Sequence, residues 1–308
     1  MENDMKKLKG LIGAPHTPMN EDLTVNLSAI EKQAELYLKN NIKGAYVCGS
    51  TGEGMSMTLQ ERMSVAQRWL EVTKDTNIDV LVNVGHTCLA DCQTLASHAQ
   101  KHKAFAISAM PPCYYKPNSL EMLIEFYAGI ASAAPETSFY AYHIPGMTGV
   151  NFPMTDFIKI APSTIPTLAG VKFNALDFMD YANCRDVAGD NYDIAFGSDE
   201  CLLASLPYGT QAAIGSTYNY IPKIYTTIID AFNNGDCQKA MKYQMLSIDI
   251  INILKKHDVL SLSKSLMKFT GVDCGQVRPP VSTVSPEDFD QICKELEKVN
   301  FFDFLAKL

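Results

Sequence analysis

The chain has 308 residues, of which 47% are hydrophobic and 19% are charged, and its formal net charge is −8 at pH 7. This composition excludes a disordered chain, because the apolar content is sufficient to bury a large core. The acidic balance and the lack of clustered Lys and Arg argue against a nucleic-acid partner, whose phosphates require cationic side chains. A small-molecule partner is expected instead.

Neither a membrane span nor a secretion signal is predicted. No stretch approaches the roughly 18 consecutive apolar residues of a spanning helix, and segment 1–7 has no apolar region behind its charges. The nine cysteines are scattered singly, without a C-x-x-C pair. This usage is typical of reduced thiols, so a cytoplasmic location is expected.

No metal site is predicted from the two i,i+4 pairs of candidate ligands. Cys88 and Cys92 offer two thiols, which make an incomplete site. His98 and His102 have the same spacing, but Ala99 stands where a zincin would have Glu.

Short apolar or β-branched runs alternate with longer amphipathic stretches along the chain, a pattern that predicts repeated βα units. The eight predicted strands are residues 10–16, 44–48, 80–84, 104–109, 138–143, 168–172, 192–196 and 211–214. The predicted helices between them include residues 26–38, 58–72, 90–101, 119–133 and 154–160. Strands buried on both faces indicate a parallel sheet, and eight repeats favour a closed (β/α)₈ barrel over an open doubly wound sheet.

The barrel is assigned to residues 1–223. Residues 224–308 contain no clear strand pattern and are predicted to form a C-terminal helical extension that packs on the barrel within one structural unit. In such a barrel the carboxyl ends of the strands carry the function, so the polar residues that follow each strand are the candidates for a site.

The second strand leads into Cys48-Gly-Ser-Thr-Gly-Glu-Gly54, a glycine-rich loop that can bind an anion. Ser50 and Thr51 offer hydroxyl groups, and no G-K-[ST] sequence follows as in a nucleotide P-loop. A small carboxylate therefore suits this loop better than a triphosphate. A plain βα turn is the alternative interpretation.

The fifth strand ends at Tyr142, just before the turn at Pro145. A phenol beside a reactive amine can move protons on and off a substrate. The alternative is a barrel tyrosine that hydrogen-bonds locally.

The sixth strand places Lys172 between Val171 and Phe173, in the apolar run Leu168-Ala-Gly-Val-Lys-Phe173. Burial lowers the pKa of an amine and so increases the fraction that is free to attack a carbonyl. The arrangement predicts a catalytic lysine, and a lysine that only covers apolar surface with its stem is the alternative.

The seventh and eighth strands end in Gly197-Ser-Asp-Glu200 and Gly215-Ser-Thr-Tyr-Asn219. Carboxylates and hydroxyls at neighbouring strand ends suit a polyhydroxylated ligand. Alternatively, the acidic segment caps the following helix.

These motifs together resemble the N-acetylneuraminate lyase family, in the dihydrodipicolinate synthase / N-acetylneuraminate lyase superfamily of class I aldolases. The segments that carry the resemblance, in order and spacing over nearly the whole chain, are Gly13-Ala-Pro-His-Thr-Pro18, Gly49-Ser-Thr-Gly-Glu53, Tyr142-His-Ile-Pro145, Gly170-Val-Lys-Phe173, Gly197-Ser-Asp-Glu200 and Gly215-Ser-Thr-Tyr-Asn219. The resemblance implies a TIM barrel with a C-terminal helical extension, a homotetramer, and no metal or organic cofactor.

The resemblance also implies the reversible aldol cleavage of N-acetylneuraminate (sialic acid) to N-acetylmannosamine and pyruvate. Lys172 would form the Schiff base, and Tyr142 would exchange a proton with the C4 hydroxyl. Ser50 would orient that phenol and, with Thr51, hold the pyruvate carboxylate. Tyr115 would join the proton relay of a neighbouring subunit.

The sugar half of the substrate would be bound by residues that follow the sixth, seventh and eighth strands: Asn174, Gly197, Asp199, Glu200 and Ser216. Asn174 departs from the family pattern, in which Thr or Ser stands two residues after the lysine. An amide can hydrogen-bond but cannot pass on a hydroxyl proton.

Two positions separate this chain from dihydrodipicolinate synthase. That enzyme carries Arg where this chain has Met147 and tends to carry Glu where it has Phe173, so a second carboxylate would lack its bidentate partner here. Three alternatives stay open: an aldolase for another 2-keto-3-deoxy sugar acid, dihydrodipicolinate synthase, and a non-catalytic sugar-acid sensor on an aldolase scaffold.

Overall fold

Eight parallel strands form a closed barrel in a computed structural model that describes residues 7–308. Residues 1–6, part of the segment without a predicted secretion signal, lie outside the described residues. The strands are β1 (Gly10–Gly13), β2 (Gly44–Val47), β3 (Asp79–Asn83), β4 (Ala106–Ala109), β5 (Ser138–His143), β6 (Leu168–Phe173), β7 (Asp193–Phe196) and β8 (Ala212–Gly215). Each strand pairs with its neighbours in the chain, and β1 pairs with β8. The predicted TIM barrel is confirmed.

Helices surround this barrel and continue beyond it. They are α1 (Ala29–Lys39), α2 (Leu59–Val72), α3 (Leu89–Lys101), α4 (Leu120–Ala131), α5 (Pro145–Thr148), α6 (Met154–Ile160), α7 (Phe178–Ala188), α8 (Leu202–Ser205), α9 (Pro222–Asn233), α10 (Cys237–Leu254), α11 (Val259–Leu266) and α12 (Pro286–Lys298). Helix α2 begins after the Thr58–Glu61 capping box, in which each side chain accepts a hydrogen bond from the backbone of the other residue.

Two predicted elements extend three residues beyond the observed ones at one end. The first strand was expected over residues 10–16 but ends at Gly13, because only Gly10–Gly13 find paired residues in β8. The first helix was expected from residue 26 but begins at Ala29. Asn26 donates its backbone N–H to Pro18 instead, which holds this stretch against the preceding turn.

The region after β8 is helical. The predicted boundary between residues 223 and 224 falls inside α9, which begins at Pro222 because proline suits the first turn of a helix. Helix α9 follows β8 as the eighth helix of the barrel and packs against α10. The division into residues 1–223 and 224–308 stays a prediction.

The side chains of each strand alternate between the barrel interior and the layer under the helices. Tyr140 and Tyr142 of β5 point inward, whereas Phe139 belongs to the outer layer. On β6 the same alternation sends Val171 and Phe173 outward, so that Lys172 points into the interior. Burying one such aromatic or branched side chain stabilises the fold by about 1.5–3 kcal/mol.

All nine cysteines are unpaired thiols. Between residues 7 and 308 no group of three or more His, Cys, Asp or Glu side chains is placed to hold a metal ion. Over the same stretch, none of the helices combines the length and apolar character needed to cross a bilayer.

Candidate active site

A cavity of about 490 Å³ opens at the carboxyl ends of the barrel strands. It is lined by nine of the residues predicted for the site: Ser50, Thr51, Tyr142, Lys172, Asn174, Gly197, Asp199, Glu200 and Ser216. Tyr115 is the exception, since its side chain is 85% exposed and does not line this cavity. Another cavity, of about 530 Å³, lies beside the amino ends of β3 and β4 and contains none of the predicted residues.

Lys172 is almost completely buried, with 4% of its surface exposed. It pairs with Tyr142 across β5 and β6, and its Nζ lies 4.1 Å from the Tyr142 ring centroid and 3.8 Å from that of Tyr46. No residue in the described part of the chain accepts a hydrogen bond from Nζ. Lys172 therefore does not reach across apolar surface to bulk water, as the alternative interpretation required.

Burial lowers the pKa of Lys172 to about 7, although the negative charge of Asp199 favours the protonated form. At pH 7 about half of such amines are free, compared with about 0.04% for an exposed lysine with a pKa near 10.4. The site therefore supplies a nucleophilic amine at neutral pH.

Tyr142 presents a protonated phenol beside this amine. Burial and the charge of Asp199 raise the pKa of Tyr142 well above its usual value, while a hydrogen bond with the Ser50 side chain opposes the shift. Its ring packs edge-on against Tyr46, with centroids 5.6 Å apart. The Tyr46 hydroxyl donates to Ser108 Oγ over 3.1 Å, which fixes the ring under the lysine.

The glycine-rich loop after β2 has a strained backbone and free donors. Cys48 and Glu53 adopt left-handed conformations with φ of 58° and 54°, which cost of order 1–3 kcal/mol each in residues with a side chain. A Cβ on Gly54 would lie 2.0 Å from the Cys48 carbonyl oxygen, so this turn requires glycine. Within residues 7–308, no acceptor is found for the backbone N–H groups of Ser50 and Thr51. These two donors at the cavity can hold a carboxylate.

Asp199 is a buried carboxyl group with one oxygen free. Its Oδ2 accepts hydrogen bonds from Thr217 N at 3.0 Å and from Thr217 Oγ1 at 2.6 Å. Its Oδ1 has no partner of good geometry in the described part of the chain and lies where a Cβ on Gly215 would be, 1.8 Å away. Burial raises the pKa of Asp199 to about 6. The free oxygen can accept a hydrogen bond from a ligand hydroxyl.

Glu200 lies at the rim of the cavity, where its Oε1 is 3.2 Å from Lys255 Nζ of the loop after α10. Asn174 packs against Gly197 so closely that a Cβ there would be 2.9 Å from the Asn174 Cβ. With Ser216, these side chains give one wall of the cavity several donors and acceptors.

Several residues near Lys172 or the cavity were not predicted. Tyr46 contacts the Lys172 amine through its ring without lining the cavity, and it could have been found as an aromatic residue at an inward position of β2. Val259, Leu260 and Ser263 of α11 line the cavity, although no local pattern distinguishes them from packing residues of a helix.

Met147 and Phe173, the two positions that separate this chain from dihydrodipicolinate synthase, lie in different places relative to the cavity. Met147 lines it and is 71% exposed, so its side chain is open to a ligand in the cavity. Phe173 packs between His143 and Tyr181 in the layer under the helices. Only Met147 therefore bears directly on the ligand.

Known proteins are similar in sequence to almost the full length of this chain. The Dihydrodipicolinate synthetase family model matches residues 7–299. N-acetylneuraminate lyase A of Xenopus laevis is 37% identical over 299 residues, which is 96% of this chain and 98% of that protein.

Two solved structures are also similar to this chain. The Proteus mirabilis N-acetylneuraminate lyase superposes with a TM-score of 0.93 at 36% identity, covering 96% of this chain and 100% of that one. The N-acetylneuraminate lyase (sialic acid aldolase) of Aliivibrio salmonicida superposes with a TM-score of 0.93 at 37% identity, covering 96% of this chain and 98% of that one.

Proposed function

This chain belongs to the dihydrodipicolinate synthetase family, and from that membership we propose that it is a class I aldolase that reversibly cleaves N-acetylneuraminate to N-acetylmannosamine and pyruvate. The observation that carries the proposal is Lys172, a buried amine with a pKa of about 7 inside a polar cavity. The full-length similarity to N-acetylneuraminate lyases selects the sugar acid.

In the proposed mechanism, the free Lys172 amine attacks the C2 ketone, and loss of water gives a protonated imine. The C3–C4 bond then breaks, and its electron pair moves into the imine to form an enamine. The C4 hydroxyl loses its proton and becomes the aldehyde of N-acetylmannosamine. Protonation of the enamine at C3 and hydrolysis of the imine release pyruvate and the free amine. Because the imine itself accepts the electrons, the reaction requires no metal or organic cofactor.

Tyr142 would take the proton from the C4 hydroxyl. A phenol whose pKa is raised would accept that proton only as it passes its own to Ser50 Oγ. The Ser50 hydroxyl would release its proton to the solvent in the open cavity, which balances the proton taken up at C3 of the enamine. Tyr142 and Ser50 therefore act as a relay, which also returns a proton in the condensation direction.

The two ends of the substrate would bind at different strand ends. The free N–H groups of Ser50 and Thr51 suit the carboxylate, while the Asp199 Oδ1, Glu200, Ser216, Asn174 and Gly197 suit the sugar hydroxyls. Met147 in place of Arg disfavours a dicarboxylate product.

We also propose a cytoplasmic homotetramer in which the exposed Tyr115 reaches the relay of a neighbouring subunit. Light scattering after gel filtration should give about four times the chain mass. If the protein is a monomer and still cleaves N-acetylneuraminate, both the tetramer and the role of Tyr115 in a neighbouring subunit are contradicted.

Turnover of N-acetylneuraminate, measured as pyruvate release, tests the proposal. Lys172→Met is the matched inactive control, because methionine has a similar volume and no amine. Faster turnover of another 2-keto-3-deoxy sugar acid in the same assay would reassign the substrate. Condensation of pyruvate with aspartate semialdehyde would indicate a dihydrodipicolinate synthase, and saturable binding of N-acetylneuraminate without pyruvate release would indicate a sensor.

A further inference from the structure

A buried ion pair connects the glycine-rich loop to the C-terminal helices. Lys264 of α11 places its Nζ 2.6 Å from Oε1 of Glu53, and the two side chains are 0% and 1% exposed. The other oxygen of Glu53 accepts the backbone N–H of Arg278 over 2.8 Å. Both oxygens of this carboxylate are therefore held by residues more than 200 positions further along the chain.

Glu53 is part of the turn that presents Ser50 and Thr51. Its backbone N–H donates to the Ser50 carbonyl over 3.1 Å, and its φ of 54° is left-handed. The next residue back, Gly52, is held from another side, since its carbonyl accepts Thr17 Oγ1 at 2.6 Å. A shift of the Glu53 carboxylate would therefore move the turn and the two free N–H groups at the cavity.

The helix that supplies Lys264 also forms part of the cavity wall. Ser263, the preceding residue, lines the cavity, and its Oγ lies 3.3 Å from Nε2 of the buried His16. Burial, followed by the charge of Lys264, lowers the pKa of His16 to about 3, so this imidazole is neutral at physiological pH. Helix α11 therefore lines the cavity through Ser263 and contacts Glu53 of the loop through Lys264.

Stability alone is a weak reason for such a pair. Burying two charges costs desolvation energy that their attraction offsets only partly, and an apolar pair of similar volume often stabilises a fold as well or better. A fixed ion pair beneath a left-handed turn is suited to holding that turn in one conformation.

We propose that Glu53 and Lys264 are positioning residues for the pyruvate carboxylate site: by tying the loop 49–54 to α11, they hold the Ser50 and Thr51 N–H groups at the spacing that the carboxylate requires. The inference rests on the proposed function, in which this loop binds the carboxylate. It adds that the C-terminal helices support the substrate site.

The direct test is Lys264→Met in the condensation direction, with pyruvate and N-acetylmannosamine varied separately. We expect KM for pyruvate to rise by roughly tenfold, the effect typical of one lost charged hydrogen bond, while KM for N-acetylmannosamine changes little. Lys256→Met is the matched control, because it removes the ion pair with Glu295 in the same C-terminal region without touching the cavity. An unchanged KM for pyruvate, or an equal rise for both substrates, would overturn the proposal.

Lys264→Met leaves the Glu53 carboxylate buried without its cation, which can prevent folding. The double variant Glu53→Gln with Lys264→Met removes both charges and should fold, yet it still lacks the tie. The same selective rise in KM is expected, and normal pyruvate saturation in the folded double variant would contradict the positioning role.

Hydrogen exchange of the loop separates this inference from the proposed function. The hydrogen-bonded amides of Glu53 and Gly54 in the double variant should exchange faster than in the unmodified protein, while those of β6 should not. If the unmodified protein releases no pyruvate, the proposed function fails, and the exchange of this loop still decides whether the pair holds it. Unchanged exchange would overturn the positioning claim whatever the activity.

Discussion

The two ends of the barrel interior pair a tyrosine of β5 with an ionisable residue in opposite ways. At the amino end, Tyr140 donates its hydroxyl to Asp193 Oδ2 over 2.8 Å, and the same oxygen accepts the Leu8 N–H at 2.8 Å. At the carboxyl end, Tyr142 lies beside Lys172, which lines the cavity. The Lys172 Nζ contacts the rings of Tyr46 and Tyr142 and has no hydrogen-bond acceptor among residues 7–308. Hydrogen bonds from the protein stabilise the first pair, while the second leaves its amine free for a ligand.

The difference shows how one barrel separates stability from reactivity. Burial raises the pKa of Asp193, and the hydrogen bonds from Leu8 and Tyr140 oppose that shift. Burial lowers the pKa of Lys172 to about 7; the charge of Asp199 opposes that shift, but no residue between 7 and 308 accepts a hydrogen bond from Nζ. A buried polar group with partners supports the fold, whereas one without partners is a candidate for chemistry.

The largest expected effect is the loss of activity at the carboxyl end only. Lys172→Met should lower turnover by at least about 10⁴-fold, because the covalent route is removed. Asp193→Asn should instead lower the melting temperature and leave turnover per folded molecule nearly unchanged. Steady-state kinetics together with thermal unfolding checks both results. A Lys172→Met variant that retains activity would contradict the claim that the reaction takes place at the carboxyl end of the barrel.

Lys172→Met, which has the larger loss of activity, is expected to gain stability. Because the folded-state pKa of Lys172 lies near 7 and the unfolded value near 10.5, the unfolded chain binds more protons between these values, and the stability of the native protein rises with pH across this window. Below about pH 7 the cost of burying the charge is present in full, roughly 5 kcal/mol at about 1.36 kcal/mol per pH unit. Lys172→Met should therefore be more stable than the unmodified protein near pH 6.

The gain should shrink between pH 7 and about 10, and denaturant unfolding at several pH values measures it. A gain that does not depend on pH would mean that Lys172 keeps its ordinary pKa in the folded state.

The two tyrosines of β5 provide a matched pair of substitutions. Tyr142→Phe should lower kcat by about 10²–10³-fold through loss of proton transfer, and the imine should still form. Tyr140→Phe should cost about 1 kcal/mol of stability through the lost hydrogen bond and leave kcat unchanged. Equal effects of the two substitutions on kcat would show that the relay is not specific to the carboxyl end.

The smallest effect is expected at Tyr46. Tyr46→Phe keeps the ring 3.8 Å from Lys172 and removes only the hydrogen bond to Ser108. Activity should stay within about threefold, with a stability loss of about 1 kcal/mol. A loss of activity as large as that of Tyr142→Phe would instead place the Tyr46 hydroxyl in the proton path.

Much of the fold follows from local pattern. The apolar run around Lys172 predicts a buried strand that carries an amine, and the glycines after β2 predict the loop. Helix α7 is not among the helices singled out from the sequence, because Met179 and Val187 are apolar but exposed, which obscures the amphipathic pattern.

Contacts between distant parts of the chain could not be predicted. The ion pair of Glu53 with Lys264 joins residues 211 positions apart, and no spacing within either segment indicates it. The outward direction of Phe173 follows from the alternation that places Lys172 inside, yet its contacts with Tyr181 depend on where α7 packs.

Reduction with borohydride in the presence of pyruvate tests the central claim most directly. A stable adduct of pyruvate mass on the intact chain, mapped by peptide analysis to Lys172 and absent from Lys172→Met, is the predicted result. A folded protein that forms no adduct, or one that forms it at another lysine, would contradict the proposed Schiff-base mechanism at Lys172.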